Sequence, residues 1–120
     1  MNENRSGAVL ALPADLIFGA RIRASAESIG ANVIIAKDPK DLLAKLSEQE
    51  VRTVILDLDR RGLNITDTIK QIKATSSVTI LAYVSHVAED AIREARAAGA
   101  DKVIARGAFA HQLPELLKLF

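Results

Sequence analysis

Cysteine is absent from the 120 residues, which excludes disulfides, thiolate metal sites and a cysteine nucleophile. Tryptophan is absent as well, and aromatics make up 3 % of the chain, so the core must be built from Ile, Leu, Val and Ala. Charge bias is missing too: 16 basic against 15 acidic residues leave a net charge of +1, and the basic residues are scattered. Binding to a phosphate backbone needs a basic stripe, so nucleic acid is not an expected partner. The six glycines form neither GxGxxG nor GxxxxGK[ST], which argues against a nucleotide-using enzyme. The start, "MNENRSG", is polar, and no apolar run approaches the length of a membrane span. No membrane partner and a cytoplasmic location are therefore expected. What is present is the balance of a globular protein, 49 % apolar and 26 % charged. Residues 1–120 read as one domain, with 1–6 as a flexible lead.

Five β-branched-rich apolar runs stand out: "AVLAL" (8–12), "NVIIA" (32–36), "TVILDL" (53–58), "VTILAYV" (78–84) and "KVIA" (102–105). Each is nearly continuous, as in strands covered on both faces. The segments between them have helical spacing. Phe18, Ile22, Ala26 and Ile29 share one face of a first helix, stopped by Gly30. Asp38 caps a second helix with Pro39 at its first position, Asp41 in its first turn and Leu42, Leu43 and Leu46 as its buried stripe. Ile65, Ile69 and Ile72 mark a third. A fourth, from about Ala88 to Ala98, is expected to bury Ala91, Ile92, Ala95 and Ala98 and to end at Gly99. In the last segment, "AFAHQLPELLKLF", proline belongs in a first turn, so a short fifth helix is expected to begin within a few residues of Pro114. Strict β-α alternation, five times over, predicts a flavodoxin-like doubly wound parallel sheet of strand order 2-1-3-4-5.

In such sheets ligands bind beyond the carboxyl ends of the strands, which directs attention to Pro13, Ala14, Asp15, Asp57, Asp59, Ser85, His86, Arg106 and Gly107. His86 and His111 lack a matching ligand cluster for zinc. A triad of Ser85, His86 and Asp57 fails because neighbouring side chains in an extended segment point opposite ways, and no nucleophile elbow is present. One constellation survives. Asp57 closes the central strand, Asp59 follows two residues on, Ser85 ends strand four and Arg106 ends strand five. A carboxylate, a hydroxyl and a cation around one crevice are the groups of aspartyl phosphorylation, with further carboxylates to hold Mg²⁺.

The segments "VILDLDRRG", "AGADKVIARGAF" and "IGANVIIAKDPKDLLAKL" resemble the receiver (CheY-like) domains of two-component response regulators, and the resemblance covers essentially the whole chain. It implies that Asp57 stands at the phospho-acceptor position and Asp59 where the family offers a backbone carbonyl to the metal. Arg106 stands for the usual lysine after strand five, and Gly107 for the proline that follows it. The switch hydroxyl falls on Val84 or Ser85. The acidic pair that binds metal in the family is replaced by Pro13 and Ala14, with Asp15 one place late, and the usual strand-five aromatic is Val103 or Ile104. The pattern is that of a degenerate pseudo-receiver.

The expected function is therefore that of a signalling module, not an enzyme, acting by protein–protein interaction independently of phosphorylation. Its partner is a kinase, a downstream target or a second copy, met through the face formed by helix four, strand five and helix five. No cofactor is expected. The alternative is a single-domain phospho-acceptor modified on Asp57, with Mg²⁺ held by Asp15, Asp57 and Asp59. A flavodoxin-fold enzyme or ligand binder is a third, more distant reading. Asp57 is expected to form a bidentate bridge with Arg106. Tyr83 reads as core or edge packing, Arg60-Arg61 as a solvated turn, and Phe120 as part of the last helix's apolar stripe.

Overall fold

The computed structural model describes residues 7–85 and 89–119. Strand and helix alternate throughout: β1 (Ala8–Leu12), α1 (Leu16–Ser28), β2 (Val33–Ile35), α2 (Pro39–Glu48), β3 (Val51–Asp57), α3 (Ile65–Thr75), β4 (Thr79–Val84), α4 (Glu89–Ala98), β5 (Lys102–Ala105) and α5 (Arg106–Leu119). All the strand pairings are parallel, and the sheet order is β2-β1-β3-β4-β5, the flavodoxin-like arrangement expected from the alternation. The chain reverses direction across the sheet between β1 and β3, so a crevice opens where their carboxyl ends diverge.

Two cores flank the sheet. On one side Leu10, Leu12, Val54 and Leu56 pack with Leu42, Leu46, Ile69, Ile72 and Ala95 from α2, α3 and α4. On the other Val9, Ala11, Ile55 and Leu81 pack with α1 and α5. Side chains alternate faces along a strand, so Asp57 shares the α1/α5 side with Ile55. The aromatic rings also gather on that side: Phe18, Tyr83 and Phe109 lie within one cluster. Phe120 and His86 lie outside the described residues.

Local signals place most boundaries. The Asp38 carboxylate accepts the Asp41 N–H, with Pro39 opening α2. At the end of α1, Gly30 adopts a left-handed φ of +77° and its N–H reaches Glu27 O, while the Ala31 N–H reaches Ala26 O. That pairing closes the helix as a Schellman motif. Within "AGAD", the Asp101 carboxylate accepts the Ile80 N–H at 2.8 Å and Lys73 Nζ at 2.9 Å, tying β4 to α3 and the turn before β5.

Two expectations need correction. Helix α4 fully buries only Ala95, with Ala91, Ile92 and Ala98 half-buried, because a ten-residue helix beside the edge of the sheet is covered from one side only. Helix α5 is not short, and it begins eight residues before Pro114 instead of within a few: it runs from Arg106 to Leu119 with Pro114 inside it. Phe109 and Leu113 before the proline and Leu116 and Leu117 after it are all buried. Each such burial contributes about 1.5–3 kcal/mol, enough together to outweigh the roughly 3 kcal/mol of an interior proline. Replacing Pro114 by alanine restores the missing N–H to a helix that already exists. Pro114→Ala should therefore raise stability by about 1–2 kcal/mol, read as a higher urea midpoint at unchanged slope.

Candidate functional site: the crevice around Asp57

Asp57 is the last residue of β3 and is 0 % exposed. A buried carboxylate is costly unless its oxygens are hydrogen-bonded. Here Oδ1 accepts the Asp59 N–H at 2.9 Å and Oδ2 accepts the Ala14 N–H at 3.2 Å. The third compensating group is Arg106, whose Nη1 stands 3.9 Å from Oδ2.

Arg106 is the first residue of α5, brought to the crevice because β5 ends directly before it. Its short contact is elsewhere: Nη2 donates to Asp15 Oδ2 at 2.7 Å. The expected bidentate bridge to Asp57 is therefore not formed, and the guanidinium divides between two carboxylates. Asp15 takes the near place because it caps α1 at the rim, where its Oδ1 accepts the Phe18 N–H at 2.7 Å. Asp57 lies deeper, with two backbone donors already in place. The guanidinium also covers the face of Phe18 at 4.5 Å from the ring centre, a cation–π contact that fixes its plane. Hydrogen bonding from Arg106, then from the Phe18 N–H, holds the Asp15 carboxyl below its ordinary range.

Beneath Asp57 lies Tyr83, its ladder neighbour on β4. Its ring is in the core, as one expected alternative had it, 4.6 Å from Phe18 and 4.7 Å from Phe109 between centroids. The hydroxyl is buried and makes no hydrogen bond among the described residues. Burial first, and the neighbouring Asp57 charge second, push its pKa far above the usual phenol value.

The rim is fastened from three loops. Val84 is buried, leaving Ser85 as the exposed residue after β4. The Ser85 N–H donates to Asp59 Oδ2 at 2.5 Å, so Asp59 ties the β3 exit to the β4 exit. Arg60 was expected in a solvated turn and instead straps two neighbouring loops: Nη1 donates to Pro13 O at 2.8 Å and Nη2 donates to Lys37 O. Arg61 is exposed, as expected. His111 sits on the exposed side of α5. No local pattern marks Arg60 or Phe18 as site residues, because both act on groups distant in sequence.

Asp15, Asp57 and Asp59 thus converge on one crevice, with Arg106 and Ser85 at its edge. Mg²⁺ demands near-octahedral oxygen ligation, which calls for oxygens left free on these side chains. Each of the three carboxylates already accepts an N–H, and the Ala14 N–H and Arg106 both address Asp57 Oδ2. Among the described residues no group of three or more His, Asp or Glu side chains is arranged to hold a metal.

No family model matches the chain, and no curated protein sequence matches it. Solved structures do. A response regulator from Thermotoga maritima superposes with TM-score 0.83 at 22 % identity, over 96 % of this chain and 97 % of that one. A response-regulator receiver domain from Bermanella marisrubri gives TM-score 0.83 at 23 % identity, over 95 % and 97 %. A response regulator from Burkholderia pseudomallei, solved with a phosphorylated aspartic acid, calcium and citrate, gives 0.77 at 15 %, over 95 % of this chain and 74 % of that one. The likeness establishes the fold. Five parallel strands in this order with five helices are the arrangement of those receivers. Among the described residues no helix is long and apolar enough to cross a membrane.

Two outcomes follow from this geometry. Removing an unsatisfied buried hydroxyl relieves its desolvation, so Tyr83→Phe should stabilise the fold by about 1 kcal/mol in urea titration. Asp15 has a lowered folded pKa, so the unfolded chain binds its proton more readily, and stability from Asp15 is present above the ordinary value of 3.8. It disappears as pH falls through the lowered value. The stability gap between the parent and Asp15→Asn should therefore be constant near neutrality and close below about pH 4.

Proposed function

We propose that this chain is a receiver-type signalling module, a pseudo-receiver, that works by recognising protein partners and without phosphoryl transfer to Asp57. The observation that carries this reading is the state of Asp57: 0 % exposed, with each oxygen accepting an N–H and the neighbouring Arg106 turned to Asp15. A carboxylate nucleophile must turn a free lone pair towards the incoming phosphorus, and the charge that develops there must be met by cations. Burial closes the approach to either oxygen, and the cation beside them is shared with Asp15. Arg106 is engaged by Asp15, and Pro13 and Ala14 stand where the receiver family carries its acidic pair.

The fold likeness supports a place in two-component signalling, where receivers meet kinases or downstream targets; the action proposed is binding, not catalysis, in the cytoplasm. A second reading, a phospho-acceptor at Asp57, draws on the phosphorylated aspartate of the Burkholderia structure and on the cation beside Asp57. Incubation with acetyl phosphate and Mg²⁺, followed by intact mass and Phos-tag electrophoresis, separates the two. No adduct is expected. An acid-stable, hydroxylamine-labile adduct mapped to Asp57 would sink the proposal.

A further inference from the structure

The sheet has two edge strands, β2 and β5, and they differ in protection. β5 carries an exposed lysine, Lys102, and charge on an edge strand discourages pairing with foreign backbone. β2 holds neither charge nor proline: Val33, Ile34 and Ile35 are all β-branched and all half-buried. The ladder fixes which of their polar groups point outward. The Val9 N–H donates to Asn32 O and the Ala36 N–H donates to Ala11 O, so the even-numbered residues face β1. Val33 and Ile35 therefore turn their N–H and C=O groups away from the sheet. Among the described residues these groups meet one side chain: Arg23 Nη1 of α1 donates to Val33 O at 3.5 Å, a long contact. Beyond them the edge is closed. The Lys37 N–H donates to Asp41 Oδ2, Lys37 O accepts from Arg60, and the Ala31 N–H donates to Ala26 O. An open cleft of about 1340 Å³ reaches the same edge at Asn32, Val33 and Ile34.

We propose that the outer edge of β2 is a strand-addition site, where an extended partner segment pairs with Val33 and Ile35 as a sixth strand and sets a carboxylate against Arg23. The proposal deepens the functional reading above and rests on it for the idea that the chain acts by binding. In strand addition main-chain groups supply the attraction and alternate side chains the selectivity. A strand laid here meets the outward N–H and C=O of both residues and covers the flanks of Val33 and Ile35 on the α1 side and of Ile34 on the α2 side. Every second side chain of that strand rises on the α1 side. There Arg23 is exposed and joins no ion pair among the described residues, not even with Glu27 one turn on. A carboxylate at that place draws the guanidinium off Val33 O, so the carbonyl enters the ladder as the charge is met. A second copy is the poorer occupant. Two β2 strands paired antiparallel with Val33 opposite Ile35 bring both Arg23 side chains onto one face about two residues apart, and like charges across a ladder repel.

The test uses the whole chain and three short peptides: one alternating glutamate with isoleucine, its counterpart with lysines for the glutamates, and the glutamate peptide N-methylated at its amides. Amide hydrogen exchange followed by NMR separates the two sides of the strand. In the chain alone Ile34, bonded to β1, should exchange slowly, and Val33 and Ile35 quickly. The glutamate peptide should slow Val33 and Ile35 at least about tenfold, and the other two peptides should leave both unchanged. Arg23→Glu should reverse the preference between the charged peptides while the unfolding midpoint holds, since Arg23 is exposed. Unchanged exchange at Val33 and Ile35 with the glutamate peptide, equal slowing by both charged peptides, or slowing by the N-methylated form would each overturn the proposal. So would slowing that grows with protein concentration in the absence of peptide, the mark of a second copy on the edge. The acetyl phosphate measurement reads the functional proposal separately: an Asp57 adduct with strand addition intact would remove that reading and leave this edge standing.

Discussion

A carboxylate buried at the end of the central strand sets the terms for this end of the molecule. Asp57 is wholly removed from water, and its charge has to be met by the protein itself. That requirement fixes two loops. The β1–α1 loop must bring the Ala14 N–H onto one oxygen, and the β3 exit must turn so that the Asp59 N–H meets the other. The β1–α1 loop can come this close because residue 19 is glycine: a Cβ there would stand 3.2 Å from the Pro13 ring. Arg60 then holds the same loop from the far side through Pro13 O. The crevice is a set of backbone groups drawn around one anion, with a guanidinium as its outer wall.

The ground beneath the anion is equally specific. Phe18, Tyr83 and Phe109 pile ring against ring on the α1/α5 side, and Arg106 extends the pile as a cation over Phe18. Low polarity there strengthens the attraction between Arg106 and its carboxylates and equally strengthens the cost of anything left unpaired. Tyr83 carries that cost, since among the described residues its buried hydroxyl beside Asp57 makes no hydrogen bond. Within the proposed function this is a site organised to neutralise one fixed negative charge, where phosphoryl transfer would need a site organised to accept a second.

The fold was legible because its signals are local. Apolar runs such as "TVILDL", the Asp38-Pro39 start of α2 and the Gly30 stop of α1 each announce themselves within a few residues, and five repeats leave little freedom in topology. For the candidate site, the placement of its residues was legible more than their pairing. Asp57, Asp59, Asp15, Ser85 and Arg106 do share one crevice, since the strand-end rule places them there. Which carboxylate Arg106 grips depends on the depth of Asp57 and on the capping role of Asp15, and no spacing encodes that. Arg60 bonds to carbonyls 47 and 23 residues away, so its sequence neighbourhood shows only a polar turn. Pro114 misled for the opposite reason: a strong local rule was overridden by four buried side chains that span it.

Asp15 links the crevice to the outward face of α1. One of its oxygens caps the helix through the Phe18 N–H, and the other holds Arg106 over the buried site. Leu16 and Ile17 are the next two residues, in the turn that this cap starts. Any contact made at that turn would bear on the same cap that keeps Arg106 in place. The size of that influence has a ceiling. A binding partner shifts a conformation only by its differential affinity for the two states, and an N-cap is worth about 1 kcal/mol. Coupling through the cap alone thus amounts to about fivefold in either direction, the scale of a bias between partners and far short of an all-or-none switch.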